Sequence, residues 1–362
     1  MIYGDIENSY RKTADLINRV RYQCQGGTPY RTLQESTEKE GSDLIHFLEE
    51  KATHILQDNG FNESGVYQGP EKPFRKKLPV TLHEKTVAEA VAKCSHQDSE
   101  DILKNPVPYE DPQHTVNIAA DDVCVKKQEE TRQNIPETGK RQYVHNSVIH
   151  VFKGDQSYTL NSYSIKSALC FLLAFLFHNN LIGNRFQFFT DGHKSLNQTI
   201  LKQFKWFSNI GIILDWYHLT KKIKEQLSLG MKGRTVRNQL VKRVLPLLWY
   251  GLTDKAIGLL QETDSHDIKN QATMDKLIQY LVRNKPYIPC YAVRKKLGLR
   301  NSSSIGEKMN DLLVSNRQKH NGMSWSKDGS LALATVTALK FNQEYSNWFE
   351  KRELDFKLDE AA

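Results

Sequence analysis

Long hydrophobic runs are absent from this 362-residue sequence. The longest, ALCFLLAFLF from Ala168 to Phe177, has ten residues, whereas a helix needs about 18 to 20 apolar residues to cross a membrane. We therefore expect a buried helix here and no membrane partner. The opening, MIYGDIENSYRK, also lacks a charged segment followed by an apolar one, so we expect a cytoplasmic protein.

Cysteine is scarce and scattered, and a glycine-rich phosphate loop is missing. The five cysteines lie far apart and form no C-x-x-C pair. Such a set argues against a disulfide framework and against a zinc site, so we expect reduced thiols. Because no glycine-rich loop follows a predicted strand, a doubly wound enzyme acting on small molecules is disfavoured.

Excess positive charge is missing from most of the chain. The formal net charge is +8, but residues 221–300 alone hold 17 Lys and Arg against 6 Asp and Glu, so the remainder is slightly acidic. The aromatic residues interleaved with this segment are Trp249, Tyr250, Tyr280, Tyr287 and Tyr291. Ordinary solvated helices are also rich in Lys and Arg. We nevertheless interpret the segment as a region that contacts backbone phosphates.

The first 112 residues divide into a helical part and a polar part. Residues 1–60 have apolar side chains at helical spacing, with Ser42 as a candidate start of the main helix and Gly60 as its candidate end. Residues 61–112 are turn-rich and polar. We interpret them as a linker that carries a short helical element and a candidate DNA contact.

Residues 113–362 begin with three extended segments, TVNIAADDVCVKK, RQYVHNSVIHVFKG and QSYTLNSYS, which predict antiparallel strands. The apolar helix follows, then a strand at 186–190, a helix, a strand at 210–214 and a helix from about residue 217. This order predicts an α/β domain with an RNase H-like mixed sheet, interrupted by a basic helical insertion at about 221–300.

Two aspartates at predicted strands indicate a shared site. Asp121 lies in the first strand and Asp191 ends the fourth. In an RNase H-like sheet these strands lie side by side at the centre. Carboxylates that are close together repel each other unless a cation is present, and Mg²⁺ prefers oxygen ligands. Paired ions of this kind can activate a nucleophile for phosphoryl transfer, and such a site usually needs a third carboxylate.

Three blocks of the sequence resemble the DDE transposases of bacterial insertion sequences, in the branch related to Mutator-like elements. They are ADDVCVKKQ, then TDGHKSLN followed by LDWYHLTKKI, and finally SSIGEKMNDLLVSNRQKHNGMSWS. The resemblance covers about residues 113–340. It implies that Asp121, Asp191 and Glu307 are the catalytic residues and that they hold Mg²⁺, with Mn²⁺ as a substitute. In this branch a largely helical insertion precedes the glutamate, which agrees with the 116 residues separating Asp191 from Glu307.

The resemblance implies further site residues. The D-x-x-H motif of the branch is matched by Asp215 and His218, which would support the catalytic residues or lie next to DNA. Candidate DNA-binding residues are Lys221, Lys222, Lys224, Arg317, Lys319 and Trp325. The sequence departs from the family pattern at His193, where a small residue is expected, and at SIGE before the glutamate.

The implied function is binding of element ends, metal-dependent strand cleavage and strand transfer. The implied partners are double-stranded DNA, at the element ends and at the target, and further copies of the chain in an active dimer or larger complex. The location would be the nucleoid. Two alternatives stay open: an RNase H-like nuclease that never rejoins strands, and a catalytically inactive DNA-binding descendant.

The site residues have alternative interpretations. Asp122 is the substitute for its neighbour, because adjacent strand residues point to opposite faces and only one can face the site. Asp191 could instead cap the following helix. Glu307 could form a capping box with Ser304, and Asp311, one helical turn later, is the substitute third ligand. Asp215 could instead cap the end of a strand, and His218 could be a partly buried histidine. Trp325 could be a core residue.

Overall fold

The computed structural model describes residues 2–22, 26–69, 81–94, 96–128, 142–319 and 323–360. The helices before the sheet are α1 (Ile2–Glu7), α2 (Tyr10–Val20), α3 (Tyr30–Asp58), α4 (Glu84–Ala92) and α5 (Ser99–Leu103). The next elements are β1 (Thr115–Lys126), β2 (Tyr143–Lys153), β3 (Gln156–Ser162), α6 (Ile165–His178), β4 (Arg185–Thr190), α7 (Lys194–Gln203) and β5 (Ile210–Leu214).

Helices make up nearly all of the remaining regular structure. After β5 come α8 (Trp216–Gly230), α9 (Arg234–Trp249), α10 (Thr253–Gln261), α11 (Gln271–Asn284) and α12 (Tyr291–Lys296). The last elements are α13 (Ser304–Asn310), a π-helical turn (Asp311–Ser315), α14 (Asn316–Gln318), α15 (Lys327–Phe341), α16 (Tyr345–Lys351) and β6 (Asp359–Glu360).

The strands form one mixed sheet in the order β5-β4-β1-β2-β3-β6. β2 pairs with β1 and β3 antiparallel, whereas β4 pairs with β1 and β5 parallel. Parallel neighbours need long crossovers, which α6 and α7 supply. The predicted α/β architecture with a mixed sheet is confirmed, as is the prediction that the first and fourth strands are neighbours.

One face of the sheet packs against α6 and α3. Val116 and Ile118 of β1 and Phe186 and Phe188 of β4 belong to the same buried cluster as most of the apolar run in α6. A helix that is apolar on all sides is buried on all sides, as predicted for this run. No helix among the described residues is both long and apolar enough to cross a membrane.

The other face of the sheet packs against the helices that follow β5. Phe189 and Ile213 share a buried cluster with apolar residues of α8 to α11. The positive charge of residues 221–300 therefore belongs to a helical layer built over the sheet. Tyr280 and Tyr291 are buried in this layer, and Trp249 stacks on Tyr291 at 6.0 Å. Tyr280 and Tyr291 are therefore core residues, and Trp249 packs partly buried against the same cluster.

The main N-terminal helix is longer than predicted. α3 runs without a break from Tyr30, so Ser42 lies inside it and is not a cap. Its neighbour Gly41 packs against α15, where an added Cβ would lie 2.4 Å from the Ala332 Cβ. Gly60 follows the helix with φ +82, as its candidate role at the end requires. Gly41 therefore allows α3 to pack closely against α15 and does not mark the start of a helix.

Residues 81–112, where described, are packed and do not form a free linker. Val91 of α4 and Ile102 of α5 share a buried cluster with Val293 of α12. Just before β1, the buried Glu110 accepts two hydrogen bonds from the Arg294 guanidinium, one of them 2.6 Å long. Breaking a buried pair of this kind is costly, so this segment is fixed against the post-β5 helices. Residues 70–80 of the predicted linker lie outside the described residues.

Candidate active site

The sheet register brings the two predicted catalytic aspartates together. Ala119 of β1 pairs with Phe189 of β4 in parallel register. Asp121 and Asp191 each follow two residues after this pair. Both side chains line one cleft together with Glu307, His218 and Asn310.

Asp121 faces the cleft and its neighbour does not. One Asp121 carboxylate oxygen accepts the Asp122 N–H at 2.8 Å and the other accepts the Asn310 Nδ2–H at 2.9 Å. Burial raises the pKa of Asp121; the hydrogen bond from the Asp122 N–H and the nearby His218 oppose the change, and the charges of Asp191 and Asp122 add to it. Asp122 is exposed and accepts a hydrogen bond from the Ser147 hydroxyl. The geometry therefore favours Asp121 over Asp122 as the functional carboxylate.

Asp191 is held by the turn that ends β4. Gly192 has φ +80, a conformation that favours glycine. The His193 N–H donates to the Asp191 carboxylate at 2.8 Å, and α7 begins only after His193. The carboxylate is thus not the cap of α7. From the post-β5 layer, the Tyr280 hydroxyl donates to the Asp191 carbonyl oxygen at 2.9 Å, so α11 helps to fix this strand end.

Glu307 reaches the cleft because α13 lies directly against β1. A Cβ on Gly306 would stand 2.5 Å from the Ala119 Cβ, so this position requires glycine. The predicted capping box is absent: Ser303 precedes the helix without a side-chain cap, and the Glu307 carboxylate lies 3.1 Å from His218 Nε2. Burial raises the pKa of Glu307, His218 opposes the change, and the charges of Asp215 and Asp121 add to it.

Asp215 ties together the two helices that carry His218 and Glu307. It is buried and caps α8, accepting the N–H groups of Tyr217 at 2.7 Å and of His218 at 3.3 Å. Its second carboxylate oxygen accepts the Ser303 N–H and the Ser303 hydroxyl, the latter at 2.7 Å. Asp215 is therefore a buried support, and His218 is the member of the D-x-x-H motif that faces the cleft.

We expect Asp215→Asn to lower the free energy of unfolding by about 2 to 4 kcal/mol, because an amide cannot accept the N–H groups at both ends of this link. Asp264→Asn is a matched control, since the exposed Asp264 caps only a single turn by accepting the His266 N–H at 2.8 Å. Its effect should stay within about 0.5 kcal/mol. Chemical denaturation measures both. If Asp215→Asn lowered the free energy of unfolding by less than about 1 kcal/mol, Asp215 would not be the support that links these two helices.

Two predicted DNA contacts are wrong because the residues are buried. Arg317 donates through Nε to the Asp5 carbonyl oxygen at 3.0 Å and lies over the ring of Trp325. Trp325 donates through Nε1 to the Gln318 carbonyl oxygen at 3.0 Å. A guanidinium and an indole can be core groups when their donors have partners and their flat faces stack. Of the residues named for DNA contact in this part of the chain, only Lys319 is exposed.

The structure also adds residues to the site. Asn310, three positions after Glu307, lies on the same helical face and contacts Asp121. Asp311, the predicted substitute ligand, is exposed and outside the residues that line the cleft. The i, i+3 spacing in the sequence could have identified Asn310. His150 on β2 also lines the cleft, and nothing in its local sequence indicates this.

The carboxylates of the cleft suit a divalent cation chemically. Oxygen donors are the ligands that Mg²⁺ prefers, and a cation would relieve the repulsion that contributes to the raised pKa values of Asp121 and Glu307. Among the described residues no three acidic, His or Cys side chains are already arranged to share one ion.

Comparisons with known proteins were made against family models, curated proteins and solved structures, and no match was found in any of the three. The function proposed below is therefore supported by the geometry of the cleft and by the sequence motifs.

Proposed function

We propose that the chain is a DDE-type transposase with an RNase H-like catalytic domain, which binds DNA ends and performs metal-dependent strand cleavage and strand transfer. The observation that carries this proposal is that β1 and β4 are parallel neighbours and that Asp121 and Asp191 line one cleft with Glu307. The strand order of the sheet, with one parallel and one antiparallel half, is the order expected of an RNase H-like domain.

In this proposal Asp121, Asp191 and Glu307 would hold Mg²⁺ or Mn²⁺, which when bound stabilises charge on the phosphodiester and lowers the pKa of water. The residues of the chain supply positioning. Asn310 orients the Asp121 carboxylate, and Asp215 fixes the helices that carry His218 and Glu307. Water is the nucleophile in cleavage, and the freed 3′-hydroxyl is the nucleophile in strand transfer.

The nearest basic surface begins one helical turn beyond His218. Lys221 and Lys224 are exposed on α8, and Lys221 is close enough for its charge to oppose slightly the rise that burial causes in the pKa of Glu307. Lys222 lies with Nζ 5.9 Å from the centre of the Tyr280 ring, and the hydroxyl of that tyrosine binds Asp191. Backbone phosphates held along α8 would therefore lead into the cleft.

Replacing Lys221, Lys222 and Lys224 with alanine should weaken binding to all DNA duplexes alike. Each phosphate contact on duplex DNA contributes about −0.9 to the slope of log K against log salt, so the slope should lose up to about two or three units. Replacement of Lys39, Lys351 and Lys357 is the control, since these exposed lysines lie on or near α3 and α16. Salt titrations on element-end and random DNA measure both variants. Equal slopes for wild type and the α8 variant would show that these lysines do not contact phosphates.

The proposed function is tested by incubating the protein with Mg²⁺ and DNA that flanks its own gene, then mapping nicks and joined products. A transposase gives defined 3′-hydroxyl ends and their transfer into a second DNA. Cleavage without joining would favour the nuclease alternative. DNA binding without any cleavage would favour an inactive descendant, a second candidate favoured by the lack, among the described residues, of three acidic, His or Cys side chains already arranged to share one ion.

A further inference from the structure

His150 is a polar side chain of the cleft to which the proposed function gives no role. His150 lies opposite Ala119 in the β1–β2 register, two residues from the Val148 that faces Asp121, and so points to the same side of the sheet as Asp121. It is only 2% exposed, yet it lines the cleft together with the carboxylates. His150 therefore forms part of the cleft floor.

The two ring nitrogens of His150 have different surroundings. Nδ1 lies 2.9 Å from the Thr159 hydroxyl on β3. Nε2 is buried and has no hydrogen-bond partner among the described residues. Burial, with a smaller effect of the Arg300 charge, lowers the pKa of His150 to about 4, so the ring is neutral near pH 7. A neutral ring fixed at Nδ1 has one nitrogen left for a hydrogen bond in the cleft.

The cleft that His150 lines has room for one small polar molecule. The cavity has a volume of about 10 Å³, roughly what one water molecule needs. A buried water also needs two to four polar partners. Asp121, Asp191 and Glu307 line the same cavity as His150, so the cleft offers both the room and the polar groups that a buried water needs.

We propose that His150 Nε2 holds the water molecule that attacks phosphorus in the cleavage step, an inference that rests on the proposed function. The water oxygen forms a bond to phosphorus as the bond between phosphorus and the 3′-oxygen breaks. The attacking water releases one proton to solvent and the departing 3′-oxygen takes one up from solvent, so that the products are a 3′-hydroxyl and a 5′-phosphate. His150 positions the water and does not remove its proton.

This assignment separates the two reactions of the protein. Strand transfer uses a 3′-hydroxyl of DNA as the nucleophile and needs no attacking water. Loss of the Nε2 hydrogen bond should therefore slow hydrolysis of an intact DNA end and leave transfer of an end that already carries a free 3′-hydroxyl. A residue that acted on the phosphate or on folding would affect both reactions.

Two substitutions distinguish the ring nitrogens. Gln places its amide near the position of Nε2, whereas Asn places its amide near Nδ1 and keeps only the Thr159 contact. We expect His150→Asn to slow hydrolysis about 100-fold, a typical effect of losing one positioned hydrogen bond in an active site. Its transfer of a pre-cut end should stay within about threefold of wild type, which also shows that the variant is folded. Hydrolysis by His150→Gln should stay within about tenfold.

Several results would overturn the inference. The inference fails if His150→Asn hydrolyses DNA within about threefold of wild type, or if it loses hydrolysis and transfer equally. It also fails if His150→Gln hydrolyses DNA more slowly than His150→Asn. A crystal structure of the wild-type protein without a water in hydrogen-bond contact with His150 Nε2 would do so independently of activity. If wild-type protein neither cleaves nor joins any DNA while it folds and holds that water, the proposed function fails and the water site stands.

Discussion

Asp121→Asn and Asp191→Asn are each expected to reduce DNA cleavage by at least about 1,000-fold, because the loss of a metal-ligating carboxylate should remove several kcal/mol of transition-state stabilisation. DNA affinity should change little, since the proposed DNA contacts are lysines outside the cleft. Cleavage of end-labelled DNA and binding by anisotropy measure the two effects separately.

The matched control for this prediction is Asp122→Asn. It makes the same chemical change one residue from Asp121, at an exposed side chain that is hydrogen-bonded to Ser147. We expect cleavage within about threefold of wild type for the control. If Asp122→Asn were the inactive variant, or if Asp191→Asn retained cleavage within about tenfold, the assignment of the carboxylates would be wrong.

Glu307→Gln is expected to cause a loss of cleavage of similar size with an almost unchanged midpoint of thermal unfolding. The structure has no capping box at α13, so the side chain is not needed to start the helix. Glutamine can keep a hydrogen bond to His218, but it removes the negative charge that a divalent ion requires. Activity and thermal unfolding, measured on the same preparation, separate a ligand from a helix cap.

The control for Glu307 is Asp311→Asn, since Asp311 is exposed and does not line the cleft. This variant should cleave DNA as wild type does. The opposite pattern, an active Glu307→Gln and an inactive Asp311→Asn, would mean that the third carboxylate has been misassigned. It would also mean that the helix can turn Asp311 into the cleft in place of Asn310.

The arrangement of the sheet could be predicted from the sequence because its signals are local. Apolar runs that end on Asp191 and at Leu214 indicate buried parallel strands, and the order of strands and helices restricts which strands can be neighbours. Once β1 and β4 are neighbours, the meeting of Asp121 with Asp191 follows from the register. This part of the site needs no knowledge of side-chain contacts.

The roles of individual polar side chains could not be predicted, because they depend on partners distant in sequence. Arg317 looks like a surface cation until the Asp5 carbonyl oxygen and the Trp325 ring supply its partners. His150 looks like an ordinary strand residue until the cleft forms around it. Likewise, Ser42 resembles a helix start, whereas its neighbour Gly41 is required by the close approach of α15.

The measurement that tests the central claim most directly is a calorimetric titration of the purified protein with Mn²⁺, because it needs no knowledge of the DNA sequence that is cut. Wild type and Asp122→Asn should show the same saturable binding. Asp121→Asn, Asp191→Asn and Glu307→Gln should each weaken that binding at least about tenfold, since each removes one charged ligand. Absence of saturable binding in the wild type, or equal binding in all five proteins, would contradict a metal-dependent catalytic site built from these three carboxylates.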